Sequence, residues 1–251
     1  MRLSVIIPTL EERDLIGVAI DRVRAGDPWE IIVADGQSAD GTADAAEAHG
    51  ARVVISAPGR GRQMNAGAAV ATGDVLLFLH ADTALPPEFT RHVDQALARP
   101  NVVAGAFELG IDAPHRTLRL VEAVANLRSR LLGLPYGDQA IFMPVPMFRR
   151  IAGYPEADAM EDFAMVRRVR WRGRIVIVPA RVSTSARRWL AGGIWRTTIL
   201  NQVCVAAWLL GVSGHRIASW RKHPASRLPL LDRHKLEIAG VDRVSGDVNG
   251  R

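Results

Sequence analysis

Asp82 has the residue type and the position of a metal ligand. It ends the apolar run GDVLLFLHAD at 73–82. A hard cation such as Mg²⁺ or Mn²⁺ prefers oxygen ligands, and one carboxylate plus a substrate diphosphate is sufficient to hold it. An aspartate after a strand is, on its own, more often a turn or helix-capping residue. Both interpretations are kept, and His80 is the histidine predicted to lie near this position.

A second acidic position, Glu161-Asp162, lies near a predicted helix start. A general base must be an ionised carboxylate within hydrogen-bond reach of the acceptor hydroxyl. Negative charge in the first turn of a helix is also favourable for purely structural reasons. Asp162 and Glu161 are therefore candidate catalytic residues, with the structural alternative left open.

The stretch GRGRQMNAG at 59–67 is glycine-rich, basic and placed to open a helix. Glycines allow close backbone approach, and arginines pair with phosphate. Met64 occupies the third glycine position of a dinucleotide fingerprint, and no Gly-Lys-Ser/Thr of a P-loop occurs here. A solvated loop is the equally weighted alternative. The candidate nucleotide-binding residues are Gly59, Arg60, Arg62 and Asn65.

Polar residues also follow the first two predicted strands. Asp35 ends an apolar run without an obvious partner, so its carboxylate is a candidate to bind a uracil or ribose. Asp40 precedes a helix and suits an N-cap as well as a ligand contact. The full set of candidates at these two strand ends is Pro8, Thr9, Glu11, Asp35, Ser38 and Asp40.

Two further segments are candidates for the substrate site. Arg188-Trp189 offers a phosphate contact beside a flat apolar surface, with an ordinary basic surface patch as the alternative. Asp138 and Gln139 precede a predicted short strand and are candidates to line an acceptor or sugar pocket. A plain turn is the alternative for that pair.

The elements that must position these residues follow from the apolar pattern. Buried runs without strict alternation, typical of parallel strands, lie at 3–8, 30–35, 51–56 and 73–82. Amphipathic stretches separate them at 11–25, 40–49 and 62–71. This alternation predicts an α/β fold with a mostly parallel sheet flanked by helices. Ligands bind at the carboxyl ends of such strands, where the candidate residues lie.

The second half is less regular. Strands are predicted at 102–111, 139–143 and 174–178, and helices at 115–132 and 158–172. A long helix is predicted from 190 to about 213, followed by a basic tail. We expect one domain over 1–189, with a nucleotide-binding half at about 1–100 and an acceptor half at about 101–189, and a C-terminal helical extension over 190–251.

The composition excludes several classes of protein. The single cysteine, Cys204, rules out an internal disulfide and a thiolate metal cluster, and a buried thiol is expected. The net charge of +6 attracts phosphates, but no recognition motif predicts nucleic-acid binding. The apolar stretch 199–212 falls short of the ~20 residues of a spanning helix. We expect a cytoplasmic protein whose C-terminal helix packs on the domain, pairs two copies as a homodimer, or lies on the inner membrane face.

Taken together, these motifs resemble glycosyltransferase family 2, which has the GT-A fold. The similar segments are SVIIPTLEE, IIVADGQSADGT, the block from GRGRQMNAG to LHADT, MEDFAM and ARRW, together covering roughly residues 3–190. The resemblance implies inverting transfer from a nucleoside-diphosphate-sugar, with UDP favoured, to a small-molecule or lipid-linked acceptor. It implies that Asp82 holds Mg²⁺ or Mn²⁺, that Asp162 is the base, and that Ala81, Arg188 and Trp189 contact the donor.

Two departures from the family pattern narrow this expectation. The metal motif reads His80-Ala81-Asp82 where the family often has Asp-x-Asp, so the second metal ligand is open. Ser185 stands where processive synthases carry Gln, which favours transfer of a single sugar. LHADT, YGDQAIFM and MEDF resemble a compact bacterial subgroup labelled radical-SAM/selenodomain-associated or arsenosugar-biosynthesis glycosyltransferases. A sugar-phosphate nucleotidyltransferase and a non-catalytic nucleotide-sugar-binding protein are the alternatives.

Overall fold

The computed structural model describes residues 1–222, with side chains through residue 220. The first half alternates strands and helices as predicted. Its elements are β1 (Leu3–Thr9), α1 (Arg13–Arg24), β2 (Glu30–Asp35), α2 (Thr42–Ala48), β3 (Arg52–Ile55), α3 (Arg60–Val70), β4 (Val75–Phe78), β5 (Thr83–Ala84) and α4 (Phe89–Leu97). The first four strands are parallel neighbours in the order β3-β2-β1-β4. The apolar pattern did not predict α4.

The second half completes one eight-stranded mixed sheet in the order β3-β2-β1-β4-β7-β6-β8-β5. Its elements are β6 (Val102–Asp112), α5 (Arg116–Leu132), a 3₁₀ turn (Gly137–Gln139), β7 (Phe142–Pro144), α6 (Val145–Arg150), α7 (Glu161–Arg170), β8 (Arg174–Ser185), α8 (Arg187–Gly192), α9 (Ile194–Leu209) and α10 (Gly214–Lys222). β7 is antiparallel to both β4 and β6, whereas β6 and β8 are parallel. The strand predicted at 139–143 therefore begins later, because Gln139 belongs to the 3₁₀ turn.

The sheet is covered on both faces, which explains why its first strands show no polar alternation. Val5 and Ile7 of β1 belong to one core cluster. Ile6, between them, belongs to a second cluster together with Ile32 of β2. Since successive strand residues point to opposite faces, a strand buried on both sides must be apolar throughout.

Helix α5 packs on the sheet with its polar side inward. Its buried residues include Glu122, Asn126 and Ser129. β7 pairs with β6 at Gly105. Farther along β6, side chains of the α5 region supply the partners of its backbone: Asn126 both donates to Leu109 O (3.0 Å) and accepts from Leu109 N (2.7 Å). Buried backbone groups need such partners, so α5 completes the edge of this strand.

The C-terminal helices pack on the body of the protein. The predicted helix 190–213 is two helices, because Gly193 (φ +80°) interrupts it, and the expected boundary at 189/190 falls inside α8. Trp208 of α9 meets Phe163 of α7 edge-on, with ring centroids 5.4 Å apart. Cys204 is buried, as predicted. Among the described residues, no helix has the length and apolarity needed to cross a membrane. The predicted basic tail lies outside the described residues.

Candidate active site

The loop after β2 is closed onto the end of β1 by one buried carboxylate. Asp35 is 1% exposed and accepts hydrogen bonds from Thr9 Oγ1 (3.1 Å), Ser38 N (2.8 Å) and Ser38 Oγ (2.6 Å). The expectation that Asp35 has no obvious partner was wrong, because its partners are the last residue of the neighbouring strand and a turn residue, whose placement the apolar pattern does not reveal. A nucleobase or ribose would reach this carboxylate by displacing one of these donors.

A second set of contacts joins the turns after β1 and β2. Glu11 N donates to Ser38 Oγ (2.9 Å). Asp40 accepts from Arg13 N (3.1 Å) at the start of α1 and from Thr42 N (2.9 Å) at the start of α2. Hydrogen bonds to its ionised form, led by that of the Thr42 hydroxyl, lower the pKa of Asp40. Asp40 therefore orients two helix starts at once.

Helix α3 also contacts the carboxyl ends of β1 and β2. Gln63 is 3% exposed, and its amide nitrogen donates to Thr9 O and to Ala34 O. Pro8 is the penultimate residue of β1. The carboxyl ends of β1 and β2 are thus fixed by side chains of one helix and two turns.

Asn65 connects α3 to the segment that leads into α7. Its amide nitrogen donates to Tyr154 O and its amide oxygen accepts from Tyr154 N, both at 2.9 Å. This bridge uses both polar atoms of the Asn65 side chain. The structure therefore gives Asn65 a positioning role, and its contact with the nucleotide stays a prediction.

The two arginines of the glycine-rich stretch reach the same segment. Arg60 Nη1 lies 4.0 Å from Glu161 Oε1, and Arg62 Nε lies 3.6 Å from Glu156 Oε2. Gly59, just before α3, has φ +129°, a conformation that side chains disfavour. Both guanidinium groups are about half-exposed, so they combine a loose carboxylate contact with access to solvent.

Asp82 lies in the turn between β4 and β5. Thr83 N donates to His80 O (3.1 Å), and Ser185 N donates to Asp82 O (3.0 Å), so the backbone of this turn is held from both sides. Ala81 is 9% exposed, whereas the Asp82 side chain is 32% exposed. The turn therefore presents the carboxylate and buries its neighbour.

Arg187 lies between Asp82 and a second carboxylate. Its Nη2 is 3.8 Å from Asp82 Oδ2 and 3.7 Å from Glu12 Oε2. Burial raises the pKa of Glu12; Arg187 opposes this effect and Asp82 adds to it. Two carboxylates from separate loops thus meet around one exposed cation.

The Glu161-Asp162 pair opens α7 and faces the 3₁₀ turn. Glu161 is 6% exposed, and Asp162 is half-buried. A methyl group added at Gly137 would overlap the Asp162 carboxylate, so glycine permits their close approach. The Tyr154 hydroxyl is buried with no hydrogen-bond partner among the described residues. Its burial, followed by the charges of Asp162 and Glu161, raises its pKa well above the ordinary value.

Asp138 is a further carboxylate of the site and lies in the 3₁₀ turn that faces Asp162. Burial raises its pKa; Arg128 and Arg188 oppose that effect, and Asp82 adds to it. Arg128 lies over the Tyr136 ring, with its guanidinium carbon 3.5 Å from the ring centroid. Asp138 is therefore affected both by Asp82 in the turn after β4 and by Arg128 of α5, so it lies between these two parts of the site.

Gln139 does not belong to an acceptor pocket. It is fully buried, its amide oxygen accepts from Ser129 Oγ (2.7 Å), and its amide nitrogen donates to Phe107 O (2.9 Å). The prediction that Gln139 contacts sugar or acceptor was therefore wrong. It completes the backbone hydrogen bonding of β6, a need that the sequence pattern does not show.

Trp189 and Arg188 have different surroundings. Trp189 is 7% exposed and packs in a cluster with Leu109 and Leu118, so it fills the core beneath α8, and its contact with the donor stays a prediction. Arg188 is exposed, and its Nη2 donates to Asn201 Oδ1 (2.9 Å). Of the pair, Arg188 alone presents its polar group outward.

The residues present fit a divalent cation held jointly with substrate. Among residues 1–222, no group of three His, Cys, Asp or Glu side chains forms a self-sufficient metal site. Asp82 and Glu12 supply carboxylate oxygens at one place. Hard cations that bridge substrate phosphates need only one or two protein carboxylates, so this donor set suits Mg²⁺ or Mn²⁺.

The structure adds residues that the sequence predictions missed. These are Glu12 and Arg187 beside Asp82, Arg128 and Tyr136 beside Asp138, and Tyr154 beside Asp162. Glu12 and Arg187 lie within the motifs SVIIPTLEE and ARRW, each next to a residue that was selected. Sequence spacing does not distinguish Glu12 and Arg187 from the residues beside them, because the orientation of each turn decides which side chain faces the site.

The sequence is similar to uncharacterized glycosyltransferases. The uncharacterized glycosyltransferase Rv0539 of Mycobacterium tuberculosis (strain ATCC 25618 / H37Rv) is 31% identical over 111 residues, which are 41% of this chain and 50% of that protein. The uncharacterized glycosyltransferase Mb0553 of Mycobacterium bovis (strain ATCC BAA-935 / AF2122/97) matches equally. This chain thus matches about half the length of these relatives.

Two solved structures share the fold. The mannosyltransferase PcManGT from Pyrobaculum calidifontis, in complex with GDP-Man and Mn²⁺, superposes with a TM-score of 0.65 at 19% identity, over 89% of this chain and 69% of that one. Glucosyl-3-phosphoglycerate synthase from Mycobacterium tuberculosis, in complex with Mn²⁺, UDP and glucosyl-3-phosphoglycerate, gives 0.58 at 20% identity, over 85% and 80%. At this identity the likeness shows the fold, which is GT-A as predicted.

The sequence itself shows the family. The model of the family described as Glycosyl transferase family 2 matches residues 4–169, more than half of the chain. The matched span includes the candidate residues from Pro8 to Asp162. The narrower bacterial subgroup stays a prediction. The chain belongs to glycosyl transferase family 2.

Proposed function

We propose that this protein transfers a single sugar, with inversion, from a nucleoside-diphosphate-sugar to an acceptor hydroxyl. One observation carries the proposal: the turn Gly137-Asp138 abuts the Asp162 carboxylate and lies within the electrostatic influence of Asp82. A candidate base and a candidate metal ligand from distant parts of the chain are thereby brought to one edge of the sheet. Direct transfer needs both at a single centre.

In this proposal the diphosphate lies beside Asp82, with Glu12 as the candidate second carboxylate. A bound divalent cation would offset the negative charge that develops on the leaving diphosphate. Arg187, Arg188 and Arg60 are exposed cations around the same place and would pair with phosphate oxygens. If the protein supplies few metal ligands, these arginines would neutralise more of the negative charge on the leaving diphosphate.

Asp162 would accept the proton of the acceptor hydroxyl. The hydroxyl oxygen forms a bond to the anomeric carbon while the bond from that carbon to the diphosphate breaks, and the nucleoside diphosphate leaves with the electron pair. Attack from the face opposite the leaving group inverts the anomeric centre. Glu161 is 6% exposed and lies near Arg60, so it is less accessible to an acceptor than half-buried Asp162.

Donor identity is part of the proposal. The related structures hold GDP-Man or UDP, each with Mn²⁺. UDP is the favoured nucleotide, and the buried Asp35 carboxylate with Thr9 and Ser38 is the candidate base-binding group. Asp138 is the candidate contact to sugar or acceptor, because it is half-buried beside Arg188 and Asp82. The acceptor is a small molecule or a lipid-linked molecule.

The first experiment is a thermal-shift measurement with UDP, GDP, ADP and their sugars, with and without Mn²⁺. One nucleotide should stabilise the protein, and Mn²⁺ should strengthen the effect; ligand at 100 times Kd contributes about 2.7 kcal/mol. Asp82→Ala should lose the metal-dependent part, and the exposed carboxylate variant Asp94→Ala should keep it. Stabilisation by no nucleotide would contradict the proposal. If Mn²⁺ strengthened nucleotide binding but no sugar were transferred to any acceptor tested, the protein would instead be a non-catalytic nucleotide-sugar-binding protein.

A further inference from the structure

Helix α5 has reversed amphipathic character. Its inward side carries Glu122, Asn126 and Ser129 in addition to Leu118. Its outward side carries a stripe at helical spacing, with Leu120 at 52%, Val124 and Leu127 at 57%, and Leu131 at 72% exposure. A soluble helix normally has the opposite arrangement, so the apolar side of α5 faces away from the sheet without a partner in the described structure.

Helix α9 extends this apolar surface. The two helices are in contact, and Ile194 of α9 packs against the same small cluster as Val121 and Ala125 of α5. On α9 the exposed residues Trp195 and Ile199 are each 57% exposed. We call the exposed apolar residues of these helices the α5–α9 face: Leu120, Val124, Leu127, Leu131, Leu132, Trp195, Ile199 and Leu209.

The exposed charged side chains of α5 and α9 are all arginines, and the exposed carboxylate of Asp112 precedes α5 at the end of β6. Residues 187–222 contain no Asp or Glu, and within 113–137 the one acidic residue is Glu122, whose side chain is 4% exposed. The exposed basic residues of the two helices are Arg116, Arg119, Arg130 and Arg196. Arg119 and Arg130 pair with Glu122 and Glu108, yet the guanidinium groups are the outer members of those pairs. Leucine and tryptophan flanked by arginine without exposed carboxylates is typical of a surface that binds anionic lipid.

We infer that the α5–α9 face docks on an anionic membrane surface. Contiguous exposed apolar surface marks interaction sites. A second copy of the chain is a poorer occupant, because a twofold interface would place these arginines against one another, and within the described structure α5 and α9 themselves expose no carboxylate to meet them. Anionic headgroups satisfy the arginines while the acyl region accepts the leucines and tryptophan.

The face is connected to the candidate site by a short piece of chain. α5 ends at Leu132, and the 3₁₀ turn that contains Asp138 begins at Gly137. Membrane docking would therefore hold the acceptor side of the site near the lipid surface. This consequence, which favours a lipid-linked acceptor, rests on the proposed function, whereas docking itself does not.

The experiment measures co-sedimentation of the full chain with extruded vesicles of phosphatidylglycerol and phosphatidylcholine, and with phosphatidylcholine alone. The protein should bind the anionic vesicles, bind neutral ones at least tenfold more weakly, and dissociate at high salt. Leu127→Glu with Leu131→Glu should weaken binding at least tenfold. Leu127→Ser with Leu131→Ser is a milder second variant, and circular dichroism confirms that each variant folds.

The matched control is Val18→Glu with Trp171→Glu, which adds the same charge at exposed apolar residues of other elements (52% and 83% exposed). It should bind vesicles like the unaltered chain, apart from a small general loss from the added charge. Failure of the unaltered chain to bind anionic vesicles would overturn the inference. So would binding that ignores lipid charge, binding that survives both α5 variants, or a dimer that those variants dissociate. Nucleotide binding is measured separately, so loss of docking and loss of donor binding are distinguishable.

Discussion

The two edges of the candidate site differ in how their polar groups are satisfied. At the ends of β1 and β2, Asp35 is surrounded by hydrogen-bond donors from Thr9 and Ser38 at 2.6 to 3.1 Å. Around the 3₁₀ turn, Asp138 has a raised pKa because burial outweighs its neighbouring arginines, and Tyr154 has a buried hydroxyl without a partner among the described residues. One edge is internally complete, and the other holds polar groups whose environment is unfavourable without substrate.

This difference indicates that the β1–β2 edge maintains the shape of the site, whereas the edge around the 3₁₀ turn carries the reacting groups. A completed hydrogen-bond network fixes the shape of the donor side before ligand arrives, and a ligand that displaces one of its donors must replace that hydrogen bond. Buried ionisable groups with shifted pKa values are instead the ordinary mark of reacting groups. We therefore expect substitutions at the β1–β2 edge to change stability and substitutions around the 3₁₀ turn to change turnover.

The largest expected effect is on turnover, from Asp162→Asn. Because the amide cannot accept the acceptor proton, the rate of sugar transfer should fall about 10²- to 10⁴-fold. Nucleotide binding, measured by thermal shift, should stay within about twofold of the original, since Asp162 is proposed to contact the acceptor side.

Glu161→Gln is the matched control for this change. It removes a neighbouring carboxylate of the same helix start, which is buried and faces Arg60. Its effect on the transfer rate should be much smaller than that of Asp162→Asn. If Glu161→Gln were the more damaging change, the base would be Glu161 and the assignment of Asp162 would be wrong.

The next largest expected effect is on stability, from Asp35→Ala. The change leaves the buried Thr9 hydroxyl and the half-buried Ser38 donors without their acceptor, so the free energy of unfolding should fall by about 1–3 kcal/mol. Urea unfolding measures it. Asp44→Ala, an exposed carboxylate on α2, should change stability by less than about 0.5 kcal/mol. Equal effects of the two changes would mean that the β1–β2 network contributes little.

The smallest expected effect is a change in the pH dependence of stability, from Asp138→Asn. The folded-state pKa of Asp138 is raised, so the folded protein binds more protons than the unfolded chain between the two pKa values. Stability from this group is therefore present below the unfolded pKa of about 3.9 and is lost as pH rises toward the folded pKa. Urea unfolding from pH 4 to 7 should show a shallower decline in Asp138→Asn, and also in Asp138→Ser. A decline identical to that of the unaltered chain would contradict the raised pKa.

The sequence predicted the elements of the first half well because their determinants are local. The runs at 3–8 and 30–35 became β1 and β2 within one residue, since strands buried on both faces must be continuously apolar. The family resemblance also located the motifs that the family model matches. In contrast, α4 was missed although it packs in the core through Phe89 and Val93.

What the sequence could not predict depends on contacts between distant residues. Gln139 was selected because it precedes a predicted short strand, yet its amide completes the backbone of β6, 32 residues earlier. Trp189 was selected as a flat apolar surface for the donor, yet it packs in the core beside Leu109. Neither outcome is encoded in spacing, because the same polar or aromatic residue serves either role depending on which strand edge lies beside it.

The reversed polarity of α5 has a consequence for how precisely that helix must sit. A helix attached through leucines could slide or rotate by a fraction of a turn and lose little, since apolar contact has no direction. Asn126 meets the N–H and C=O of a single residue, Leu109, so displacement by one position breaks both bonds and strands two buried backbone groups. The two hydrogen bonds between α5 and β6 therefore fix the position of the helix along the strand, although they add little net stability.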